Sequence, residues 1–275
     1  MSQRDAEQEP SDDHVASLER GIAVIEVLSG SDAPLSLAEV ARLCETTRAT
    51  ARRLLLTLSH LGYVTSNGTS FALRPSVMEL GDAYLDSSRV PALAHSHLQQ
   101  LSAAVRDTCS LTVLDGYDVV YVDRVKASRI MTVNIDIGTR FPAYATSTGR
   151  VLLSGQDPEQ IEHYLGNLEA TPLTPRTTTS PRDLGAAIEQ ARRDGHAIAD
   201  QELDTGLRSI AAPVRDSGGL VIAALNVSTH VTRTSLQDLR SRVLPLLLRA
   251  SEAISTDIVN AATSESAVDQ GSWSQ

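Results

Sequence analysis

The chain has few aromatic residues, little cysteine and a deficit of positive charge. Aromatic side chains make up 3% of its 275 residues while 41% are hydrophobic, so its cores must be aliphatic. The two cysteines, Cys44 and Cys109, stand apart from each other and from any Cys/His cluster. That excludes a disulfide framework and speaks against a zinc site, and it fits a reduced, cytoplasmic protein. No metal and no cofactor is expected. No apolar run is long enough to cross a membrane, and no basic–apolar–small export signal opens the chain. A net charge of −10 and a pI near 5.1 are the opposite of a protein that coats nucleic acid nonspecifically. Any contact with DNA must therefore come from a local patch. The chain also lacks GxSxG, HExxH, P-loop and GxGxxG signatures, and an enzyme is not expected.

What charge there is lies unevenly. Asp5, Glu7, Glu9, Asp12 and Asp13 face Arg4 alone, and residues 1–16 read as a disordered acidic tail. From Leu18 to Arg74 six arginines meet five acids, and three of the six fall in Thr46–Val64. In that stretch Ala51, Leu54, Leu55, Leu58 and Leu61 recur at the spacing of a helical stripe facing a core. Its first turns carry Thr47, Arg48, Thr50, Arg52 and Arg53, which suits a helix inserted in a DNA major groove. A solvated face is the plainer alternative, and Arg53 could instead pair with an acid such as Glu39.

The surroundings decide between these. Ser17 is placed to cap a helix through Leu18, Ile22, Ile25 and Leu28. Ser36 and Glu39 form a capping box for a second helix. Cys44-Glu45-Thr46 is a short turn into the third, and Gly62 ends it. Tyr63-Val64 and Phe71-Ala72-Leu73 flank Asn67-Gly68, a strong hairpin signal. Helix–helix–turn–helix–hairpin predicts a winged helix-turn-helix domain over residues 17–74.

Pro75–Ser88 reads as a linker helix, placing a linker at residues 75–89. Residues 90–258 then read as a mixed, α+β domain. Helix Leu93–Val105 is followed by a hairpin, Ser110–Leu114 with Val119–Val125. A half-buried strand is expected over Met131–Ile137, with Gly138 closing it. Helices are expected at Thr148–Leu153, Pro158–Leu165 and Pro181–Arg193, and strands at Ala197–Ala199, Ile210–Val214 and Leu220–Val227. A last helix spans Ser235–Ile258 with a kink at Pro245, and residues 259–275 read as a second disordered tail. His95 and His97, two apart on a helix, point to different faces and read as solvated residues, not a metal pair.

Several segments, in this order, resemble the IclR family of bacterial transcription regulators: SLERGIAVIEVL, SLAEVARL, TTRATARRLLLTLSHLGYV, GTRFPAYATSTGRVLL, LTPRTTTS, DGHAIADQELDTGLRSIAAPV and ALNVSTH. The likeness covers residues 15 to 258. YVDRVKASRIMTVNIDIGTRFPAYATSTGRVLLS further resembles the branch that controls aromatic-acid catabolism through the β-ketoadipate pathway. The resemblance implies a winged helix-turn-helix, a linker helix and a C-terminal GAF-like effector-binding domain. It implies homodimers, often dimers of dimers, on palindromic operator DNA, and no membrane partner. It implies a small carboxylate or aromatic-acid effector, of the protocatechuate, 4-hydroxybenzoate or β-ketoadipate kind. The effector residues so implied are Ser147, Thr148 and Gly149 at a helix start, Asp200 and Glu202, Ser209 and Ile210, and Asn226 and Ser228. A helix start offers free N–H groups and a positive dipole end to an anion. Arg140, Arg150 and Arg208 are the candidates for meeting a carboxylate. The other reading left open is a small-molecule sensor whose winged helix contacts proteins.

Overall fold

A computed structural model describes residues 14–127 and 135–271. The chain divides between Ser88 and Arg89 into two compact units.

In the first unit, helix α1 (Ala16–Ser29) begins one residue before Ser17, so Val15 holds the cap position and no side chain caps it. Strand β1 (Leu35–Ser36) leads directly into helix α2 (Leu37–Leu43). The Ser36 side chain accepts from the Glu39 N–H, and the Glu39 carboxylate accepts from the Ser36 N–H. Those hydrogen bonds hold the Glu39 carboxyl below its ordinary value. Glu45, in the left-handed region at φ 48°, turns the chain into helix α3 (Arg48–His60). Strands β2 (Val64–Ser66) and β3 (Ser70–Leu73) form the expected hairpin. Asn67 Oδ1 accepts from the N–H groups of Thr69 and Ser70, and Gly68 supplies φ 94°. β1 adds to β3, a pairing too short to read from sequence, and gives a sheet of order β1-β3-β2.

The core of this unit is Val24, Leu28, Val40, Ala41, Ala51, Leu55, Leu58 and Val64. Leu54 is half-buried, but Leu61, expected in the same stripe, is 59% exposed. It sits at the C-cap, where the chain has already begun to leave the helix. A 3₁₀ turn (Pro75–Val77) and helix α4 (Met78–Ser88) complete the unit.

The second unit is a six-stranded antiparallel sheet of order β6-β5-β4-β9-β8-β7. Two three-stranded halves meet along β4 (Thr108–Asp115) and β9 (Val221–His230). β5 (Asp118–Val125) and β6 (Arg140–Pro142) flank one side, and β8 (Leu207–Arg215) and β7 (Ala197–Asp200) the other. Helix α5 (Val90–Val105) and the last helix cover one face of the sheet, where the row Leu111, Leu225 and Ala212 lies fully buried. Helix α6 (Ser147–Ser154), backed by α8 (Pro181–Asp194) and α7 (Pro158–Gly166), covers the other.

The third strand differs from expectation. Residues 131–134 lie outside the described residues, Ile135–Ile137 belong to no strand, and the strand seen here is Arg140–Pro142. Gly138, at φ 87°, closes a turn there by donating to the Tyr121 carbonyl. The last helix is also built differently. A short α turn, α9 (Leu236–Asp238), runs into a π turn (Leu239–Val243) and then α10 (Leu244–Gly271). A π turn sends each carbonyl one residue further along, so the Ser241 carbonyl does not need the N–H that Pro245 lacks. The helix continues to Gly271, where a disordered tail was expected from residue 259.

Candidate functional site

Helix α3 carries the first candidate site. Ala51, Leu55 and Leu58 face the core, which leaves Arg48, Arg52 and Arg53 exposed. Among the described residues none of these three guanidinium groups has an ion pair or hydrogen bond. Arg53 does not reach Glu39, whose carboxylate is engaged at the Ser36 cap. Thr47 caps the helix, accepting from the Thr50 N–H at 3.2 Å, and its hydroxyl lies 3.0 Å from that of Thr50. The five polar residues read from the sequence therefore share the exposed start of one helix. Arg48 and Arg52, four apart, fall on one side of it.

The second candidate lies on the sheet face under α6. Antiparallel partners share a face. Ser228 pairs with Ser209, and Asn226 pairs with Ala211 on one side and Ser110 on the other. Ser209, Asn226 and Ser228 line a small cavity with Glu202, Thr146, Tyr121, Ala145, Ala199, Leu203 and Leu207. Its volume is about 10 Å³, room for roughly one water. Ser147 joins it through a 2.8 Å hydrogen bond to Ser209. The Asn226 amide donates to Ser228 at 3.1 Å, and its Oδ1 is buried with no partner. Burial pushes the Tyr121 phenol up to about 12.

The remaining residues expected at this site do not line the cavity. The Gly149 N–H donates to Thr146 Oγ1 at 2.9 Å, so the helix cap already uses it. A Cβ at Gly149 would fall 2.0 Å from the Ala143 carbonyl oxygen, so glycine here allows α6 to pack against the Ala143–Ala145 turn. The Thr148 hydroxyl donates to Thr146. Ile210 points to the opposite face of the sheet from Ser209 and is fully buried there. Asp200 is held between Arg208 and Arg176, each at 2.7 Å. Sequence reasoning missed Tyr121. Tyr121 lies on β5, far along the chain from the other lining residues, and only the pairing β5-β4-β9 brings it there.

The arginines proposed for a carboxylate are also engaged. Arg150 and Glu202 form a buried pair at 2.5 Å, and Arg140 pairs with Asp115 and Asp118. His95 and His97 are not simply solvated. His95 meets Asp123 at 3.0 Å and His97 meets Asp257 at 2.8 Å. Among the described residues no His/Cys/Asp/Glu group could hold a metal ion, and no helix is long and apolar enough to cross a membrane.

Comparison with known proteins places both units. Residues 17–68 match the IclR helix-turn-helix domain, and residues 82–256 match the bacterial transcriptional regulator IclR C-terminal domain. The chain is 42% identical over 240 residues to the Pca regulon regulatory protein of Pseudomonas putida, covering 87% of this chain and 82% of that one. It is 34% identical over 247 residues to the p-hydroxybenzoate hydroxylase transcriptional activator of Acinetobacter baylyi, covering 88% and 91%. A crystal structure of a protein assigned as a transcriptional regulator, from Rhodococcus sp. RHA1, shares 49% identity and superposes with a TM-score of 0.80 over 89% of this chain and 98% of that one. The protein belongs to the IclR family of bacterial transcriptional regulators, in the branch that contains regulators of aromatic catabolism.

Proposed function

We propose that the protein is a cytoplasmic, effector-responsive regulator of an aromatic-acid catabolic operon, acting as a homodimer on a palindromic operator. The observation that carries this reading is the start of α3, where Arg48, Arg52 and Arg53 stand exposed and unpaired on a capped helix. A guanidinium there can take a bidentate contact to guanine or neutralise a phosphate, and Thr47 and Thr50 add hydroxyls. A protein whose net charge is −10 gains nothing from bulk attraction to DNA, so these side chains must supply the affinity.

Dimerisation is supported by apolar residues left in solvent. Leu18 and Ile22 are exposed four apart on α1, and Leu80 and Tyr84 are exposed four apart on α4. Two copies joined there would present two α3 helices to major grooves about 34 Å apart. The effector site is the Ser147, Ser209, Asn226 and Ser228 cluster with Glu202. Hydroxyls and an amide suit a hydroxylated acid, and the relatives' names point to 4-hydroxybenzoate or a product of its catabolism. A cavity of about 10 Å³ must open to admit such a ring, so binding is coupled to rearrangement around α6. By linkage, operator and effector must alter each other's affinity by the same factor.

The test is a gel-shift titration against the promoter regions flanking its own gene, with and without 4-hydroxybenzoate, protocatechuate and β-ketoadipate. Sequence-specific binding that weakens steeply with salt and shifts with one of these acids is expected. Binding that is absent at low salt, or unaltered by mutating Arg48 and Arg52 together, would sink the operator assignment. A small-molecule sensor contacting other proteins would then remain.

A further inference from the structure

We infer that the effector site extends across the sheet to an anion subsite formed by Arg124, Ser110 and Asn226, which takes the carboxylate of the effector. This rests on the effector-site reading above and deepens it.

The three residues form one row. Ser110 on β4 is the register partner of Arg124 on β5 and of Asn226 on β9, so all three side chains leave the same face of the sheet, the one covered by α6. The row continues through Ala211 and Ala197, small side chains packed in the core. The neighbouring row, Ser228, Ser209 and Ala199, lines the cavity, so Asn226 belongs to the cavity and to the row at once. Neighbouring strands lie about 4.8 Å apart, which puts the Arg124 backbone about 10 Å from that of Asn226, with Ser110 between.

Among the described residues, most of the second unit's buried side-chain atoms without a hydrogen-bond partner gather on this part of the sheet, Arg150 Nε and Tyr164 Oη being the others. Arg124 Nε and Nη1, Ser110 Oγ and Asn226 Oδ1 are all buried without a hydrogen-bond partner, and so is Thr112 Oγ1 two residues along β4 on the same face. Ser110 is 1% exposed and Asn226 2%. Burial lowers the Arg124 guanidinium from its ordinary value, with Tyr121 and Asp136 opposing that, yet an arginine stays protonated. Asp136, the acid near it, is engaged by Lys126. Buried donors without acceptors are costly, and several converging on one patch mark a place built for a guest.

The charge assigns the guest. Elsewhere in the second unit Arg150 is neutralised by Glu202, Arg208 by Asp200 and Arg140 by Asp115 and Asp118. Arg124 is the arginine of this face that has no ion pair among the described residues. A cation without a counter-ion, beside two hydroxyls and an amide, fits a carboxylate. The ligand's hydroxyl would then point the other way, toward Ser209, Ser228 and Glu202.

The experiment compares acid with amide. Isothermal titration of the full-length protein with 4-hydroxybenzoate and 4-hydroxybenzamide should show the acid binding wild type at least about tenfold more tightly. Arg124→Gln should bring the two within about threefold, Arg124→Lys should restore part of the preference, and Ser110→Ala should weaken the acid more than the amide. Ser110→Ala removes one small hydroxyl, so it keeps the test open if Arg124→Gln fails to fold. Retention of the full acid preference in Arg124→Gln and Ser110→Ala would overturn the subsite and leave the aromatic-effector reading standing. If wild type ignores aromatic acids but binds short 2-oxo acids with an Arg124-dependent preference over their amides, the subsite stands and the aromatic reading falls. No binding of any carboxylate overturns both.

Discussion

In the N-terminal unit Arg48, Arg52 and Arg53 stand in solvent without a partner among the described residues, while in the C-terminal unit Arg150 is buried against Glu202 and Arg208 is held by Asp200. The contrast follows from what each unit must meet. A phosphate backbone brings its own charge and arrives in water, so a side chain that recognises it must be free and solvated beforehand. A small ligand enters a place already removed from water, where an uncompensated charge is costly, so Arg150 and Arg208 are paired inside the protein and only a cation that is to meet the ligand itself is left without a counter-ion. The same residue type therefore contributes little to folding in one unit and is needed for folding in the other.

The sharpest way to break the comparison is to remove one member of the buried pair. Arg150→Met leaves Glu202 buried without its cation and should lower stability by about 3–5 kcal/mol, measured by urea unfolding. The double variant with Glu202→Leu should recover most of that loss, because the isolated charge costs more than the missing pair. A single-variant loss below about 1 kcal/mol would mean that water reaches Glu202, and the contrast with α3 would collapse.

Alkaline unfolding should come next in size and should separate the units. Burial pushes the Cys109 thiol up to about 12 from 9.0 and the Tyr121 phenol up to about 12 from 10.0, and both belong to the C-terminal unit. Both groups hold their protons more tightly when folded. Their contribution is complete below the unfolded values and is lost as pH rises from about 9 toward 12. Cys44 is only half-buried, and burial raises its thiol from the ordinary value. Thermal unfolding followed from pH 8 upward should lose the C-terminal transition first. Iodoacetamide should label Cys44 in the native protein and Cys109 only when it unfolds.

Smaller still, and opposite in kind, is the effect of changing the exposed arginines. Arg48→Ala or Arg52→Ala should cost about 1–3 kcal/mol of operator affinity while leaving stability within about 0.5 kcal/mol of wild type. Loss of stability without loss of affinity would show that these side chains belong to the fold and not to an interface.

The comparison also explains what could be read from the sequence. The N-terminal unit was legible because its signals are local. Ser36 and Glu39 sit three apart, Ala51, Leu55 and Leu58 mark one helix face, and Asn67-Gly68 makes its own turn. What failed there was an end effect, with Leu61 continuing the stripe in sequence after the helix had stopped in space. In the C-terminal unit the strands were found, but the site depends on which strands are neighbours. Asn226 and Ser228 were placed on one face by their spacing alone. Tyr121 could not join them until β5, β4 and β9 were known to be adjacent. Ile210 follows Ser209 in the chain, but consecutive residues of a strand point to opposite faces, so it lies away from the cavity. Gly149 looked like an opening for an anion because its contact with Ala143 joins two elements and leaves no mark in local spacing.

The least disruptive change tests whether the proposed DNA contact of α3 depends on local structure elsewhere in the unit. Helix α2 has seven residues, too few to be stable alone, and its start is fixed by the reciprocal bonds between Ser36 and Glu39. Ser36→Ala removes the side chain that accepts from the Glu39 N–H and should cost about 1 kcal/mol. Because Ser36 also ends β1, which pairs with β3, the loss is shared between helix and wing. It should lower operator affinity slightly through a reduced folded population, with no change in which bases are preferred, because α3 keeps its own cap at Thr47. Selection of operator variants by wild type and Ser36→Ala distinguishes the outcomes. An unchanged preference with weaker binding keeps α2 as a support, whereas an altered preference would mean that the cap sets the angle at which Arg48 and Arg52 approach the groove.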